Sequence, residues 1–561
     1  MKVVVRIATL AALLAAAQSA DAQTALPLKH AAAPTKTAIT PADLMTRLYL
    51  YSDDSMMGRA AGSEYNLKAT AYVAAEVRRM GLVPAGDSGG YFQNVPLVKR
   101  EFDARSSLVV DGTTLRPWQD YAPRDPRRAT KPFDGTQVVY AGTLGDSTML
   151  TPDQAAGRFL VIGVRFGPNL PPSAQVNRGA MLARYRAAAG IAVASLDSVP
   201  PGLLAFFRQP QYLLRDGPQP TDTIGLPAYV YVSTAVAQTL LGAPLDGLRA
   251  GAAGKTVQGS LGFTESPAPA RNVVAILPGS DPALRGEYVA IGAHNDHIGF
   301  DQTPVDHDSL RAYNGAERRL ALAAPDRRVT TEQQAQIRVN ADSLHRLHAA
   351  RRDSIFNGAD DDGSGTVSVL EIAEAFAGTR ARPKRSLVFV WHTGEELGLF
   401  GSQYFTDHPT VSRDSIVAQL NMDMVGRGRA EDEVLGGPAY LELIGTRRLS
   451  TELGDLIETV NKARRQPFAF DYQFDASGHP EQLYCRSDHY MYARYGIPIA
   501  FFTTGLHRDY HQVTDEPQYI DYDKLTNVAQ FVHDVALAVA NLDHRVVVDK
   551  PKPDPRGNCV Q

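Results

Sequence analysis

Hydrophobic and polar positions fall into three textures along this chain. From residue 40 to about 81 the pattern is helical. Thr40 is placed to cap PADLMTRLYLYS, with Pro41 at the first helical position. Leu67, Ala71, Val73, Val77 and Met80 keep near-helical spacing through EYNLKATAYVAAEVRRMGL, which Gly81 ends. From about residue 105 to 265, short β-type runs (SLVV, TQVVYAG, RFLVIGV, AYVYV) alternate with Gly, Pro and Asp turns. One stretch among them, AMLARYRAAAGIAVASLD, is expected to be helical. This texture predicts a separate β-rich module inside the chain. After residue 268 the runs RNVVAILP, EYVAIGAH, RSLVFVWHT, SIVAQLNMDMV and IPIAFFTT are each bounded by turns or charges, with helical stretches between several of them. Near-continuous apolar strands alternating with helices predict an α/β fold. Its sheet is mixed, mostly parallel, and covered by helices on both faces. In such sheets the loops at strand carboxyl ends build the site.

Three segments stand apart. Residues 23 to about 40 are rich in Ala, Pro and Thr and read as a spacer. Residues 301–356 read as an inserted helical excursion, helical around TEQQAQIRVNADSLHRLHAARRDS, with His307, His345 and His348 expected on its solvated surface. The Pro-rich, polar tail from 547 is expected to be mobile.

Composition narrows the function. A chain of 561 residues fits two or three domains, and 44% hydrophobic with 21% charged residues is ordinary globular content. A net charge of -4 supplies no basic field for nucleic acid or anionic lipid. At the N-terminus, Lys2 and Arg6 precede the apolar run IATLAALLAAA, and Ala20 and Ala22 stand at cleavage-type positions. That three-part pattern predicts an export signal cleaved after Ala22 and a periplasmic or secreted protein. No later stretch has the 18 or more consecutive apolar residues that a membrane helix needs, so no membrane association is expected once the signal is removed. Cys485 and Cys559 make no disulfide framework, and the sequence leaves open whether they pair.

Five short stretches carry candidate chemistry: AIGAHNDHIGF, NGADDDGSG, VWHTGEELG, LNMDMVG and GLHRDYHQVTDEP. Alone, each has a plain reading as a solvated turn, a helix surface or a satisfied histidine. GADDDGSG could hold calcium, but it lacks the alternation and terminal Glu of an EF-hand. Together, each at an expected strand end, they supply the His nitrogens and carboxylate oxygens that zinc takes. Two Zn²⁺ ions bring four positive charges. Three carboxylates and a bridging hydroxide cancel them, and two neutral histidines complete the shell.

The order HxD, GADDDGSG, GEE, NMD and YH resembles the co-catalytic zinc exopeptidases of peptidase family M28, which includes aminopeptidases, glutamate carboxypeptidase and, more distantly, glutaminyl cyclases. The resemblance covers most of residues 40–545 and extends to the run SMMGRAAGSEYNLKATAYVAAEVRRMGLVPAG, which is similar to the family's opening helices. Residues 130–260 resemble the protease-associated domain often inserted in these enzymes. The excursion at 301–356 is longer than the family's usual connection. The implied organisation is a signal peptide (1–22), an N-terminal part of the catalytic domain with connecting strands (23–128), a protease-associated-like domain (129–266), a zinc peptidase domain (267–546) and the tail (547–561).

By position, the resemblance assigns His294, Asp361, Glu396, Asp423 and His511 to two zinc ions, with Asp361 bridging. It makes Glu395 the general base and Asp296 the carboxylate that orients His294. In some branches it makes Tyr510 an oxyanion donor. Asp360 and Asp362 are then expected to hydrogen-bond the turn. The implied activity is exopeptidase, an aminopeptidase by analogy with that branch, acting on peptide substrates. A glutamate-carboxypeptidase-like enzyme and an inactive binding protein on the same fold are the alternatives. Glutaminyl cyclisation is weaker, because that branch works with one zinc. For the substrate's end, Asp488 and Asp515 are candidate amine binders, and Arg486 and Arg508 candidate carboxylate binders.

Overall fold

The computed structural model describes residues 26–124, 130–146, 148–165, 177–216, 226–324, 328–346, 349–428 and 436–561; the candidate signal peptide lies outside them. The chain forms two units, Met1–Val95 with Pro269–Gln561, and Pro96–Ala268.

The first unit is built on a nine-stranded sheet. Its strands in chain order are β1 (Val83–Pro84), β2 (Phe92–Asn94), β3 (Arg271–Leu277), β4 (Tyr288–His294), β5 (Ser386–His392), β6 (Ile416–Met422), β7 (Tyr440–Ile444), β8 (Ala469–Asp471) and β9 (Ile499–Thr503). Across the sheet they run β1-β3-β5-β4-β6-β9-β7-β8, and β2 also pairs with β3. Neighbours in the central group β5-β4-β6-β9 are parallel, while β3 pairs antiparallel with β5 and β7 antiparallel with β9. The sheet is mixed and mostly parallel at its centre, as the apolar runs predict.

Both faces are buried, and the period of two sorts the side chains. Leu387, Phe389 and Trp391 join one core with the helices Pro41–Tyr51, Glu64–Arg79, Gly365–Gly378 and Tyr522–Ala540. Val388 and Val390 join the other core, beside Phe405, Tyr484 and Tyr492. The opening helix is capped as expected, its Thr40 Oγ1 accepting from the Asp43 N–H at 3.2 Å. Gly81 takes the left-handed conformation, φ +74°, just past the second helix.

The second unit holds an eight-stranded sheet and a three-stranded one. It spans Pro96–Ala268, because early strands pair with late ones. Leu97–Phe102 is antiparallel to Phe263–Ala268, and Ser107–Val110 to Ala253–Leu261. The run AMLARYRAAAGIAVASLD is not one helix. It splits into the helix Arg178–Arg184 and the strand Gly190–Ala194. GIAVA is wholly buried between parallel neighbours, and a short apolar run of that kind has no periodicity to tell strand from helix.

The excursion also differs from expectation. Among the described residues its longest helix is His307–Ala323, upstream of the expected stretch, which contributes Thr331–Gln336 and Ala341–His345. His307 is buried, stacked on Tyr519 with Nε2 2.9 Å from Glu516 Oε2. His345 is partly exposed beside Asp306, and His348 lies outside the described residues. Cys485 and Cys559 form a disulfide. The tail, expected to be mobile, is therefore tethered at its end. Gln561 adds to this, its Oε1 accepting from the Tyr484 N–H at 3.0 Å and its Nε2 donating to the Phe474 carbonyl at 2.9 Å. Among the described residues no helix is long and apolar enough to cross a membrane.

Candidate metal centre

Parallel strands deliver their carboxyl ends to one edge of the sheet. His294 is the last residue of β4, Glu395 and Glu396 follow β5, Asp423 follows β6, and the loop after β9 carries His507 and His511. Asp360, Asp361 and Asp362 come from the turn that leads into the helix Gly365–Gly378.

The two oxygens of Asp361 face two different histidines. Oδ1 lies 3.1 Å from His294 Nε2, and Oδ2 lies 3.2 Å from His511 Nε2. Asp423 Oδ1 is 3.6 Å from the same nitrogen of His294, and Glu396 Oε2 is 3.0 Å from that of His511. Among the described residues, neither histidine nitrogen carries a hydrogen bond, although both atoms are buried. Donors around one ion at zinc distances sit roughly 3.3 Å apart. These donor sets therefore fit divalent metal on either side of Asp361.

Charge makes the same point. Burial opposes protonation of His294, yet Asp423, Glu395 and Asp361 hold its imidazole well above its usual range. For His511 burial again lowers the value, but Asp361 and Glu396 prevail and raise it to about 10. Burial alone would raise the Asp361 carboxyl; His294, His511 and the nearby His297 hold it well below. The carboxylates gathered at this edge thus favour positive charge in the gap.

The turn acids are fully used. Asp362 Oδ2 accepts from the His294 N–H at 3.0 Å, and its Oδ1 from the Gly365 N–H at 2.9 Å. Asp360 Oδ1 accepts from the Gly426 N–H at 2.6 Å, and its Oδ2 lies 3.1 Å from His507 Nε2. Asp296 sits differently from the expectation. His294 Nδ1 is 3.1 Å from its carbonyl oxygen but 3.8 Å from its carboxylate, which instead accepts from the Glu395 N–H at 3.2 Å. Burial raises the Asp296 carboxyl to about 7, against the pull of His294. Burial likewise drives Glu395 well above the usual carboxylate range, with Glu396 and Asp423 pushing the same way and His294 opposing.

A cleft beside these groups is lined by Asp361, Glu395, Asp423, Met424, Leu483, Arg486, Ser487, Phe501, Thr503, Gly505, Leu506 and Tyr510. Tyr510 stacks on His511 with ring centroids 3.9 Å apart, and its hydroxyl accepts from Arg486 at 3.4 Å. Of the four candidates for the substrate's end, only Arg486 lines this cleft. Asp488 is buried against His392 at 3.3 Å, and Arg508 pairs with Glu317 at 3.2 Å. Asp515 is buried too, spent on Arg427 and the turn backbone.

Two neighbours carry little or no motif signal. Ser487 donates to Asp423 Oδ2 at 2.7 Å, and no sequence pattern marks it. His297 Nδ1 lies 2.7 Å from Glu396 Oε1. A second histidine in the strand-end stretch HNDHIG was the available sign.

Residues 272–536 match the sequence model of peptidase family M28. They belong to that family. The chain is similar to leucine aminopeptidase 1 of Aspergillus fumigatus, 27% identical over 185 residues, which is 31% of this chain and 44% of that protein. It is also similar to leucine aminopeptidase 1 of Paracoccidioides brasiliensis, 30% identical over 195 residues, 32% of this chain and 47% of the relative. The chain thus spans about half the length of the curated relatives it matches. Among solved structures, the aminopeptidase from Aneurinibacillus sp. strain AM-1 aligns over 92% of this chain and 97% of its own, at 16% identity and a TM-score of 0.49.

Proposed function

We propose that the M28 domain is a zinc-dependent aminopeptidase. His294, Asp361 and Asp423 would hold one ion, and Asp361, Glu396 and His511 would hold a second. The observation that carries this reading is the pair of unsatisfied imidazole nitrogens facing opposite oxygens of Asp361. Bound zinc would lower the pKa of water and polarise the scissile carbonyl.

The chain's own groups do the rest. Glu395 lines the cleft beside the candidate ligands Asp361 and Asp423, so it accepts the proton of the attacking water and returns it to the leaving amine. Asp296 positions both partners, the His294 ring through its carbonyl and the Glu395 backbone through its carboxylate. Tyr510, at the cleft wall, supplies a hydroxyl for the developing oxyanion. Met424, Leu483, Phe501 and Leu506 offer an apolar wall to the side chain of the terminal residue.

Arg486 in the same cleft favours a second reading, a carboxypeptidase that pairs a free carboxylate with its guanidinium. A panel of N-blocked and C-blocked dipeptides separates the two. Hydrolysis of C-blocked but not N-blocked substrates is expected; the reverse pattern overturns the aminopeptidase. Loss of all hydrolysis with fewer than two zinc ions per chain would favour a binding protein.

We further propose that residues 1–22 are an export signal and that residues 129–266, within the unit Pro96–Ala268, are a protease-associated-like module. N-terminal sequencing of exported protein should begin at Gln23; an N-terminus still at Met1 would refute the signal.

A further inference from the structure

His297 has no part in the ligand set above, yet it is buried at the centre of the second half-site. Its Nδ1 lies 2.7 Å from Glu396 Oε1. A carboxylate only accepts, so Nδ1 carries the proton and donates. The same nitrogen is 3.7 Å from Asp361 Oδ2, outside hydrogen-bond range. We infer that His297 is a positioning residue for Glu396: it engages Oε1 and so presents Oε2 to the metal. The inference rests on the two-zinc reading.

His297 stands in a group with Asp361, Glu396 and His511 that could hold a metal ion, and its contact distance to Glu396 is that of a hydrogen bond. Pairs of donors on a common ion stand roughly 3.3 Å apart, as the His511 pairs at 3.0 and 3.2 Å do. The contact at 2.7 Å is shorter and matches a charge-assisted hydrogen bond. The oxygens are also divided. Oε1 meets His297, whereas Oε2 meets His511.

The ring is fixed for that task. It stands edge-on to His511, centroids 5.5 Å apart. On another side it abuts Gly358, where an added Cβ would fall 2.6 Å from the ring's Cγ and Cδ2. The backbone there is itself held, with Arg59 donating to the carbonyls of Asn357 at 2.6 Å and Gly358 at 2.8 Å. An imidazole so confined can turn little, and Glu396 therefore has one preferred orientation before any metal arrives.

The test is zinc binding, measured by competition with a chelator of known affinity and by metal content, on full-length wild type and three variants. His297→Ala and His297→Leu remove the donor, and Leu keeps most of the volume should Ala fail to fold. His297→Asn keeps an N–H near the position of Nδ1. Loss of a supporting contact of this kind weakens metal binding by about 10- to 100-fold. The expected result is that Ala and Leu weaken one of the two zinc ions by that factor and leave the other unchanged, while Asn stays within about threefold of wild type. Wild-type affinity for both ions in Ala and Leu overturns the inference alone. Loss in Asn equal to that in Leu overturns it too, because the ring would then be acting by ligation or bulk. Wild type that binds fewer than two zinc ions overturns the inference together with the metallopeptidase reading beneath it.

Discussion

The carboxylate of Asp515 grips the backbone of Asp361, its Oδ2 accepting from the Asp361 N–H at 3.1 Å. The same oxygen accepts from the Asp360 N–H at 2.9 Å, and Oδ1 accepts from Arg427 at 3.0 Å. Asp515 lies four residues beyond His511 in sequence, so it ties the turn of the shared acid to the loop of the second histidine. Asp515→Ala breaks a buried ion pair and strands two backbone donors. It should destabilise the domain by about 3 kcal/mol or more, and chemical denaturation checks this. Asp515→Asn should lose less, since one carbonyl oxygen remains to accept.

Glu395→Gln keeps the shape and the neighbours of the proposed base while removing its proton chemistry. Turnover should fall by about 10²- to 10⁴-fold. Zinc content should not change, because Glu395 is not among the ligands. A variant as fast as wild type on its best peptide would end the assigned role.

Gly358 has φ +53°, and a Cβ there would lie 2.3 Å from the Asp361 carbonyl oxygen as well as against the His297 ring. Gly358→Ala should therefore cost about 1–3 kcal/mol of stability. It should also lower zinc retention during dialysis against chelator. A melting curve and metal analysis on the same sample report both.

His489 is buried against Phe501, ring centroids 4.6 Å apart, and burial lowers its pKa to about 3. In the unfolded chain it titrates near its ordinary value, about 6.5. Its folded pKa is the lower one, so the stability it contributes is complete above about pH 6.5 and is lost as pH falls towards 3. Between pH 7.5 and 5, wild type should lose about 2 kcal/mol more unfolding free energy than His489→Leu. Equal losses in urea titrations at the two pH values would contradict the burial argument.

Cys485 and Cys559 are 74 residues apart in sequence. Closing a loop of that size stabilises by about 2–4 kcal/mol. Cys559→Ser should lower the denaturation midpoint accordingly and open the tail beyond residue 547 to limited proteolysis.

The strand ends of the M28 domain were legible because buried parallel strands read as apolar runs, and each run here stops at a charged or polar residue. That made it possible to name the stretches that would meet. What each atom would touch was not legible. Asp515 looks like a pocket acid in DYHQVTDEP but is turned to the backbone of another loop. His307 lies in a polar helix, and only a tertiary partner, Glu516, explains its burial. The start of the β-rich unit was missed for a similar reason. Leu97–Phe102 is short and charged, and its place is set by Phe263–Ala268, far along the chain. The strand GIAVA was missed because its neighbours, not its own periodicity, make it a strand.

The excursion at 301–356 is tied down at its root. Arg311 pairs with Asp509, Arg351 with Glu516, and Asn314 donates to Asp509 at 2.9 Å, all within the loop that bears His511. The segment is thus a brace and not an ornament. A shortened chain that removed it would leave Glu516 without Arg351 and Asp509 with one guanidinium fewer. The contacts of the excursion thus fall on the His511 loop, whereas His294 and Asp423 stand at the ends of β4 and β6.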